Sequence, residues 1–298
     1  MSSILVLGYG EMGRALQHLL AGRVALAVWN RTPRAGLAPV ALEEAAARCD
    51  IVLCCLPTMA HEGVLARLAP YLPSATVCVS VAKGLDEAGR PVSRILADEL
   101  GGRFGYGVLH GPMIAEEILA GRHAFAQVAC SRAGDAERIA ALFAGTRLGV
   151  TVAADMAGIN WAVILKNVYA MAFGMADELA LGDNVRGWLA ATALRELDLC
   201  VQRLGGAPGT AAGLAGLGDL VTTGTSEHSH HHELGRRLAR GETRIGEPGG
   251  IEGEAIRTLA ALERHAPLDE SGLPLLAWIH GVVRRPGDVA RRFAQLLG

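Results

Sequence analysis

Residues 4–7 are a short run of β-branched and leucine side chains that ends in Gly8-Tyr9-Gly10-Glu11-Met12-Gly13, and apolar residues then recur at helical spacing over 14–20. A G-x-G-x-x-G that closes a strand and opens a helix constrains the fold more than any other feature of the chain. Gly8 suits the tight turn, Gly10 lets backbone approach a pyrophosphate, and Gly13 lets helix and strand pack closely. The free amides of the first helical turn then favour an anion. The motif predicts a Rossmann unit with Gly8, Tyr9, Gly10, Glu11, Met12 and Gly13 against a dinucleotide.

The rest of the first half agrees. Residues 24–29, 51–56 and 76–81 read as further strands, and 42–48 and 63–69 as helices between them. Buried strands alternating with helices give βαβ units and a mostly parallel sheet covered on both faces. After about residue 151 the texture changes to long Ala/Leu-rich stretches, 159–181, 186–204 and 253–265, with helical periodicity. Residues 205–218 and 242–250 are rich in glycine and proline and read as loops. The chain has 298 residues, and domains run to about 100 to 200 residues. Two domains are therefore expected: an α/β Rossmann domain over 1–150 and an all-α substrate and catalytic domain over 151–298.

The second strand ends without the acidic residue that would bond a ribose 2′-hydroxyl; Asn30-Arg31-Thr32 stands there instead. A guanidinium can pair with a 2′-phosphate where a carboxylate would repel it. NADP is therefore the expected cofactor in preference to NAD, with Asn30 and Arg31 at the adenosine end. The alternative is that Arg31 stacks on adenine or faces solvent.

Charge and composition exclude several classes. The net charge is −2 with no basic block, which argues against nucleic acid as a partner. No apolar run reaches the ~18 residues of a membrane span, and the N-terminus enters a strand with no secretory pattern, so a cytoplasmic location and no membrane association are expected. Cys49, Cys54, Cys55, Cys78, Cys130 and Cys200 lack CxxC spacing and read as small buried hydrophobes.

Three later stretches are hard to explain by packing. Lys83 follows a strand, at the sheet edge where ligands bind. His110-Gly111-Pro112-Met113-Ile114-Ala115-Glu116-Glu117 is a turn leading into an acidic helix start. Lys166 and Asn167 lie inside an apolar helix, where an unpaired ammonium would be expensive. A structural ion pair is the alternative for Lys166 and a solvated loop position for Lys83.

With these residues the chain resembles the NAD(P)-dependent glycerol-3-phosphate dehydrogenases, whose Rossmann domain precedes a helical domain similar to that of 6-phosphogluconate dehydrogenase. The matching pieces run in order over nearly the whole chain: Gly8 to Gly13, Lys83-Gly84-Leu85, Gly111-Pro112 with Ala115-Glu116-Glu117, Leu165-Lys166-Asn167-Val168, Gly182-Asp183-Asn184, Gly213 to Leu220, and Glu254 to Thr258. The resemblance implies reversible hydride transfer between NAD(P)H and dihydroxyacetone phosphate, giving sn-glycerol 3-phosphate for phospholipid synthesis. It implies Lys166 as general acid/base, its pKa lowered by desolvation. It also implies Lys83 as a second active-site lysine that also meets the cofactor, and Asp219 as the carboxylate that positions the lysine and substrate hydroxyls, the alternative for Asp219 being a helix N-cap. Gly111, Asn167, Thr223, Ser229, His230 and His231 take substrate-binding positions. Ala115, His230 and Glu254 join the cofactor site. A homodimer is the base-rate expectation, and no metal is implied.

The chain departs from the family where Ser229-His230-His231-His232 replaces Ser-Arg-Asn-Arg. Arginine offers phosphate a fixed fork, whereas histidine is largely neutral above pH ~6.5. Met113 replaces a serine, Ala191-Thr192-Ala193 a Thr-Arg-Gly, and Glu11-Met12 a Ser-Trp, while Asn30-Arg31-Thr32 is similar to the β-hydroxyacid dehydrogenases. The histidines can bind phosphate as imidazolium, admit another small hydroxy acid or hydroxy-ketone, hold a transition metal together with His228, or be exposed without a role. A dinucleotide-binding paralogue without turnover is the non-enzymatic alternative. Lys83, Lys166, Asn167 and Asp219 together argue against it.

Overall fold

Apolar runs buried on both faces make the sheet. In the computed structural model, which describes residues 2–34, 36–227, 229–242, 244, 253–265 and 268–298, the first unit comprises residues 1–86 and 90–160. Its elements are β1 (Ser3–Leu7), α1 (Glu11–Leu20), β2 (Ala25–Trp29), α2 (Leu42–Ala46), β3 (Ile51–Cys54), α3 (His61–Leu68), β4 (Val77–Ser80), α4 (Val92–Leu100), β5 (Gly105–His110), α5 (Ala115–Leu119), β6 (Ala124–Cys130), α6 (Asp135–Leu142) and β7 (Leu148–Val152). The strands lie in the order β2-β1-β3-β4-β5-β6-β7. All neighbouring pairs are parallel except β5 and β6. Each strand of the β1, β3 and β4 trio is buried throughout or nearly so, as helices on both faces require.

Three strands, β5 to β7, escape the sequence reading. β5 and β6 are glycine- and alanine-rich and so lack the β-branched signature. At Gly107 the small residue has a tertiary cause: a Cβ there would stand 2.4 Å from the Ala129 carbonyl oxygen of the antiparallel neighbour.

The second unit comprises residues 87–89 and 161–298. α7 (Met156–Glu178) runs across the division, followed by α8 (Asp183–Arg203), α9 (Asp219–Thr225), α10 (His230–Ala239), α11 (Glu254–His265), α12 (Pro274–Arg284) and α13 (Val289–Leu297). From Ile159 to Ala176 every residue of α7 is buried, so this helix is enclosed on all sides rather than amphipathic. It meets α10 with backbone nearly touching backbone. A Cβ on Gly174 would lie 1.9 Å from the His232 carbonyl oxygen, and one on Gly235 would lie 2.0 Å from that of Met171. Two glycines thus set the depth at which α10 sits on α7.

The stretch 205–218 departs from the expected loop. It holds a 3₁₀ turn, Thr210–Ala212, and a π-helical turn, Leu214–Gly218. Gly216 allows this, because a Cβ there would lie 2.1 Å from the Ala211 carbonyl oxygen. Of the stretch 242–250, residues 243 and 245–250 lie outside the described residues.

The six cysteines are free thiols, four of them buried and Cys55 and Cys130 partly so. Burial pushes Cys49 up to about 11 and Cys55 up to about 12, which suits inert packing groups. Among the described residues no helix is long and apolar enough to cross a membrane.

Candidate active site

The glycine fingerprint occupies the point where the strand order reverses. From β1 the chain goes first to β2 on one side and then to β3 on the other, and ligands of such sheets bind outside the carboxyl ends at that reversal. Gly8, at φ +94°, follows β1, and a Cβ on it would stand 2.4 Å from the Cys55 carbonyl oxygen just after β3. A Cβ on Gly13 would lie 2.0 Å from the Gly8 carbonyl oxygen, so strand and helix touch here. Gly10 is different. It precedes α1, is exposed, and a Cβ there would meet nothing within 4 Å. Two glycines are needed by the protein itself, and the third borders open space at a helix N-terminus. That arrangement fits a dinucleotide pyrophosphate.

The neighbouring side chains brace this turn. The Tyr9 backbone N–H donates to Asn30 Oδ1 at 2.9 Å, and its hydroxyl lies 2.8 Å from Gln17 Oε1. Asn30 Nδ2 donates in turn to the Thr32 carbonyl at 2.6 Å. Asn30 therefore ties the end of β2 to the glycine loop. Arg31 is exposed, with no hydrogen bond or ion pair among the described residues. Glu11 is exposed in the first turn of α1, and Met12 packs against the core cluster of the sheet unit.

Lys83 and Gly111 lie at the same carboxyl edge, beyond β4 and β5. Lys83 Nζ donates to the Gly111 carbonyl at 3.4 Å. Gly111 has a packing reason as well, since a Cβ would stand 2.4 Å from the Phe125 carbonyl oxygen. Met113 and Ala115 are both buried in the core cluster, so the missing serine hydroxyl is replaced by apolar packing.

Asn160 passes unnoticed in the sequence reading. Its side chain accepts the Ser93 N–H at 2.9 Å and lies 3.3 Å from His110 Nε2, beside Gly111 in the chain. The signal was available: a second asparagine on a helix with no solvent-facing side, six residues before Lys166.

In the helical unit, Lys166, Asp219 and Thr223 form one buried cluster. Lys166 Nζ lies 3.0 Å from Asp219 Oδ2, and it also donates to Thr223 Oγ1. Thr223 Oγ1 lies 3.5 Å from Asp219 Oδ1. Lys166 is only 2% exposed and Asp219 only 3%. The π-turn delivers Asp219 as the first residue of α9, with its carboxylate turned to Lys166. Such turns recur at functional sites. Asn167 is equally buried, and its Oδ1 has no hydrogen-bond partner among the described residues. An orphaned buried acceptor is a place for a ligand donor.

The four-residue histidine segment does not act as a unit. Ser229 caps α10 by accepting the His232 N–H at 3.2 Å. His232 is buried and its Nε2 donates to Asp177 Oδ2 at 2.8 Å. Partial burial works to raise the Asp177 carboxyl, yet hydrogen bonds from Arg186 and His232 bring it below its ordinary value. His230 is exposed and His231 half-buried in the first turn of α10. His228 lies outside the described residues, and among the described ones no three His, Cys, Asp or Glu side chains gather as a metal site requires. Glu254 opens α11 and is half-buried.

Comparison with known proteins accounts for this combination. Residues 33–136 match the model for the NAD-dependent glycerol-3-phosphate dehydrogenase N-terminus, and residues 155–291 the model for its C-terminus. The glycerol-3-phosphate dehydrogenase [NAD(P)+] of Thioalkalivibrio sulfidiphilus is 34% identical, covering 99% of this chain and 96% of that protein. The enzyme of the same name from Agrobacterium fabrum is 32% identical over 99% and 96%. Among solved structures, glycerol-3-phosphate dehydrogenase from Coxiella burnetii matches with a TM-score of 0.82 and 25% identity over 99% of this chain and 98% of that one. A glycine turn at the switch point of a parallel sheet, an apolar helix carrying Lys166 and Asn167, and full-length similarity lead to one conclusion: the chain belongs to the NAD(P)-dependent glycerol-3-phosphate dehydrogenase family.

Proposed function

We propose that this chain interconverts dihydroxyacetone phosphate and sn-glycerol 3-phosphate with NADPH or NADH, and that Lys166 is its general acid/base. The observation that carries the reading is the buried Lys166–Asp219–Thr223 cluster, with the orphaned Oδ1 of Asn167 on the next residue of the same helix. A nicotinamide held at the glycine turn would supply the hydride to C2 of the ketone, or take it back from the alcohol. In the reducing direction the C2 carbonyl bond opens, and the oxygen takes its electron pair as developing alkoxide charge. The Lys166 ammonium donates a proton to that oxygen, and in the reverse direction its amine takes the proton. Asp219 and Thr223 fix the direction of Nζ, and Asn167 Oδ1 accepts a substrate hydroxyl or the cofactor's carboxamide N–H. Lys83, held by the Gly111 carbonyl, is the second lysine of the reaction.

At the cofactor, the amides around Gly10 receive the pyrophosphate, and Arg31 favours NADP over NAD by pairing with the 2′-phosphate. The substrate phosphate falls to Ser229, His230 and His231, since His232 is engaged by Asp177. A homodimer is the assembly expected of such an enzyme. Its six free thiols suit a reducing compartment such as the cytoplasm.

The test is oxidation of NADPH and of NADH with dihydroxyacetone phosphate over pH ~6 to 8, the range in which imidazoles change charge. Saturable turnover, abolished by Lys166→Met, is the expected result. His230→Arg is expected to lower KM for dihydroxyacetone phosphate by restoring a guanidinium to the phosphate. No turnover with this substrate, together with saturation by another small hydroxy acid, would overturn the assignment.

A further inference from the structure

His61 opens α3 and Ser80 closes β4, and neither belongs to the site described above. Both side chains are completely buried. His61 Nδ1 lies 3.1 Å from the Pro57 carbonyl oxygen, and His61 Nε2 lies 2.8 Å from Ser80 Oγ. The Ala82 N–H donates to the same Ser80 Oγ at 3.1 Å. A carbonyl can only accept, so Nδ1 carries the ring proton. Burial pushes the imidazole below its ordinary value, so Nε2 is a bare acceptor, and the Ser80 hydroxyl must donate to it. The remaining lone pairs of that hydroxyl are then aimed at the Ala82 N–H. Every proton in the chain from Pro57 to Ala82 has one consistent place.

We infer that His61 and Ser80 are positioning residues, whose relay fixes the backbone leaving β4 and thereby aims the Lys83 ammonium. Lys83 is the residue after Ala82, and it donates to the Gly111 carbonyl across the same sheet edge. Packing alone gives no reason for the pair, because an apolar pair of similar volume would fill the space without burying two polar groups. A fully satisfied buried network specifies one arrangement of the backbone that carries it. The inference rests on the assignment of Lys83 to the reaction.

The experiment is single-turnover hydride transfer, followed by NADPH fluorescence, in the full chain and in the Lys83→Ala background. Ser80→Ala and His61→Leu are expected to slow the step by about ten- to a hundredfold, the scale of an ångström-sized misplacement. His61→Gln, which keeps an acceptor for Ser80, should recover much of the rate. In the Lys83→Ala background Ser80→Ala should slow the step no further. An equal slowing in both backgrounds, no slowing at all, or His61→Leu and His61→Gln behaving alike would overturn the relay. If Lys83→Ala alone leaves the rate intact, the role of Lys83 fails first and the relay with it. Should Ser80→Ala not fold, the His61 pair in the two backgrounds decides the question.

Discussion

Lys166 Nζ lies 3.0 Å from Asp219 Oδ2, with both side chains almost excluded from water. Each charge compensates the other there. Breaking a buried pair from one side is expected to cost about 3–5 kcal/mol. Asp219→Leu should therefore unfold at markedly lower denaturant, whereas Lys166→Met with Asp219→Leu should regain most of the loss. Neither variant should turn over, since a general acid/base contributes about 10²–10⁴-fold and both remove it or its partner. Denaturant titration and initial rates on the same preparations check both halves.

The glycine turn yields a contrast between two neighbouring positions. A Cβ at Gly13 collides with the Gly8 carbonyl, while one at Gly10 meets nothing. Gly13→Ala is expected to destabilise the chain by about 1–3 kcal/mol, as overpacking does. Gly10→Ala should leave stability unchanged and weaken NADPH about tenfold or more, through lost backbone bonds to the pyrophosphate. Thermal unfolding and fluorescence titration with NADPH separate the two effects.

Arg31 is exposed and bonded to nothing among the described residues, so its replacement should not disturb the fold. Arg31→Asp is expected to change stability by no more than ~0.5 kcal/mol. It should lower kcat/KM with NADPH by about ten- to a hundredfold, the scale of a charge-assisted hydrogen bond, and leave NADH much less affected. An unchanged NADPH-to-NADH ratio would remove Arg31 from the 2′-phosphate.

Glu196 supplies a pH prediction away from the site. Its buried carboxylate on α8 accepts the Leu275 and Leu276 N–H groups at 2.8 Å each, capping α12 from another helix. Burial outweighs these bonds and raises the carboxyl above its ordinary value of 4.5. In the window above 4.5 the unfolded chain has released this proton and the folded chain still holds it. Stability from this group is therefore highest below 4.5 and declines as pH rises through the folded value. The stability difference between the native chain and Glu196→Gln should follow that decline, and Glu196→Leu should cost about 1–3 kcal/mol for each N–H it leaves unsatisfied.

Local spacing made much of this chain legible from its sequence. The strand, glycine turn and helix at 4–20, the apolar helix around Lys166, and the change from alternating elements to helices all depend on residues within a few positions of one another. The resemblance then named the residues that gather in each unit. What local spacing cannot carry is the identity of partners far apart in the chain. Lys166 meets Thr223 across 57 positions, and His232 meets Asp177 across 55. The sequence therefore offered four equivalent histidines, while the structure assigns one to a carboxylate, makes Ser229 the helix cap and leaves His230 exposed. In the same way Gly107 of β5 is glycine because the β6 backbone leaves no room for a Cβ, and Gly174 and Gly235 are glycines because α7 and α10 meet there. Short-range propensity decided which segments are helix or strand. Close approach between distant segments decided that Gly107, Gly174 and Gly235 must be glycine, and which buried polar groups find a partner.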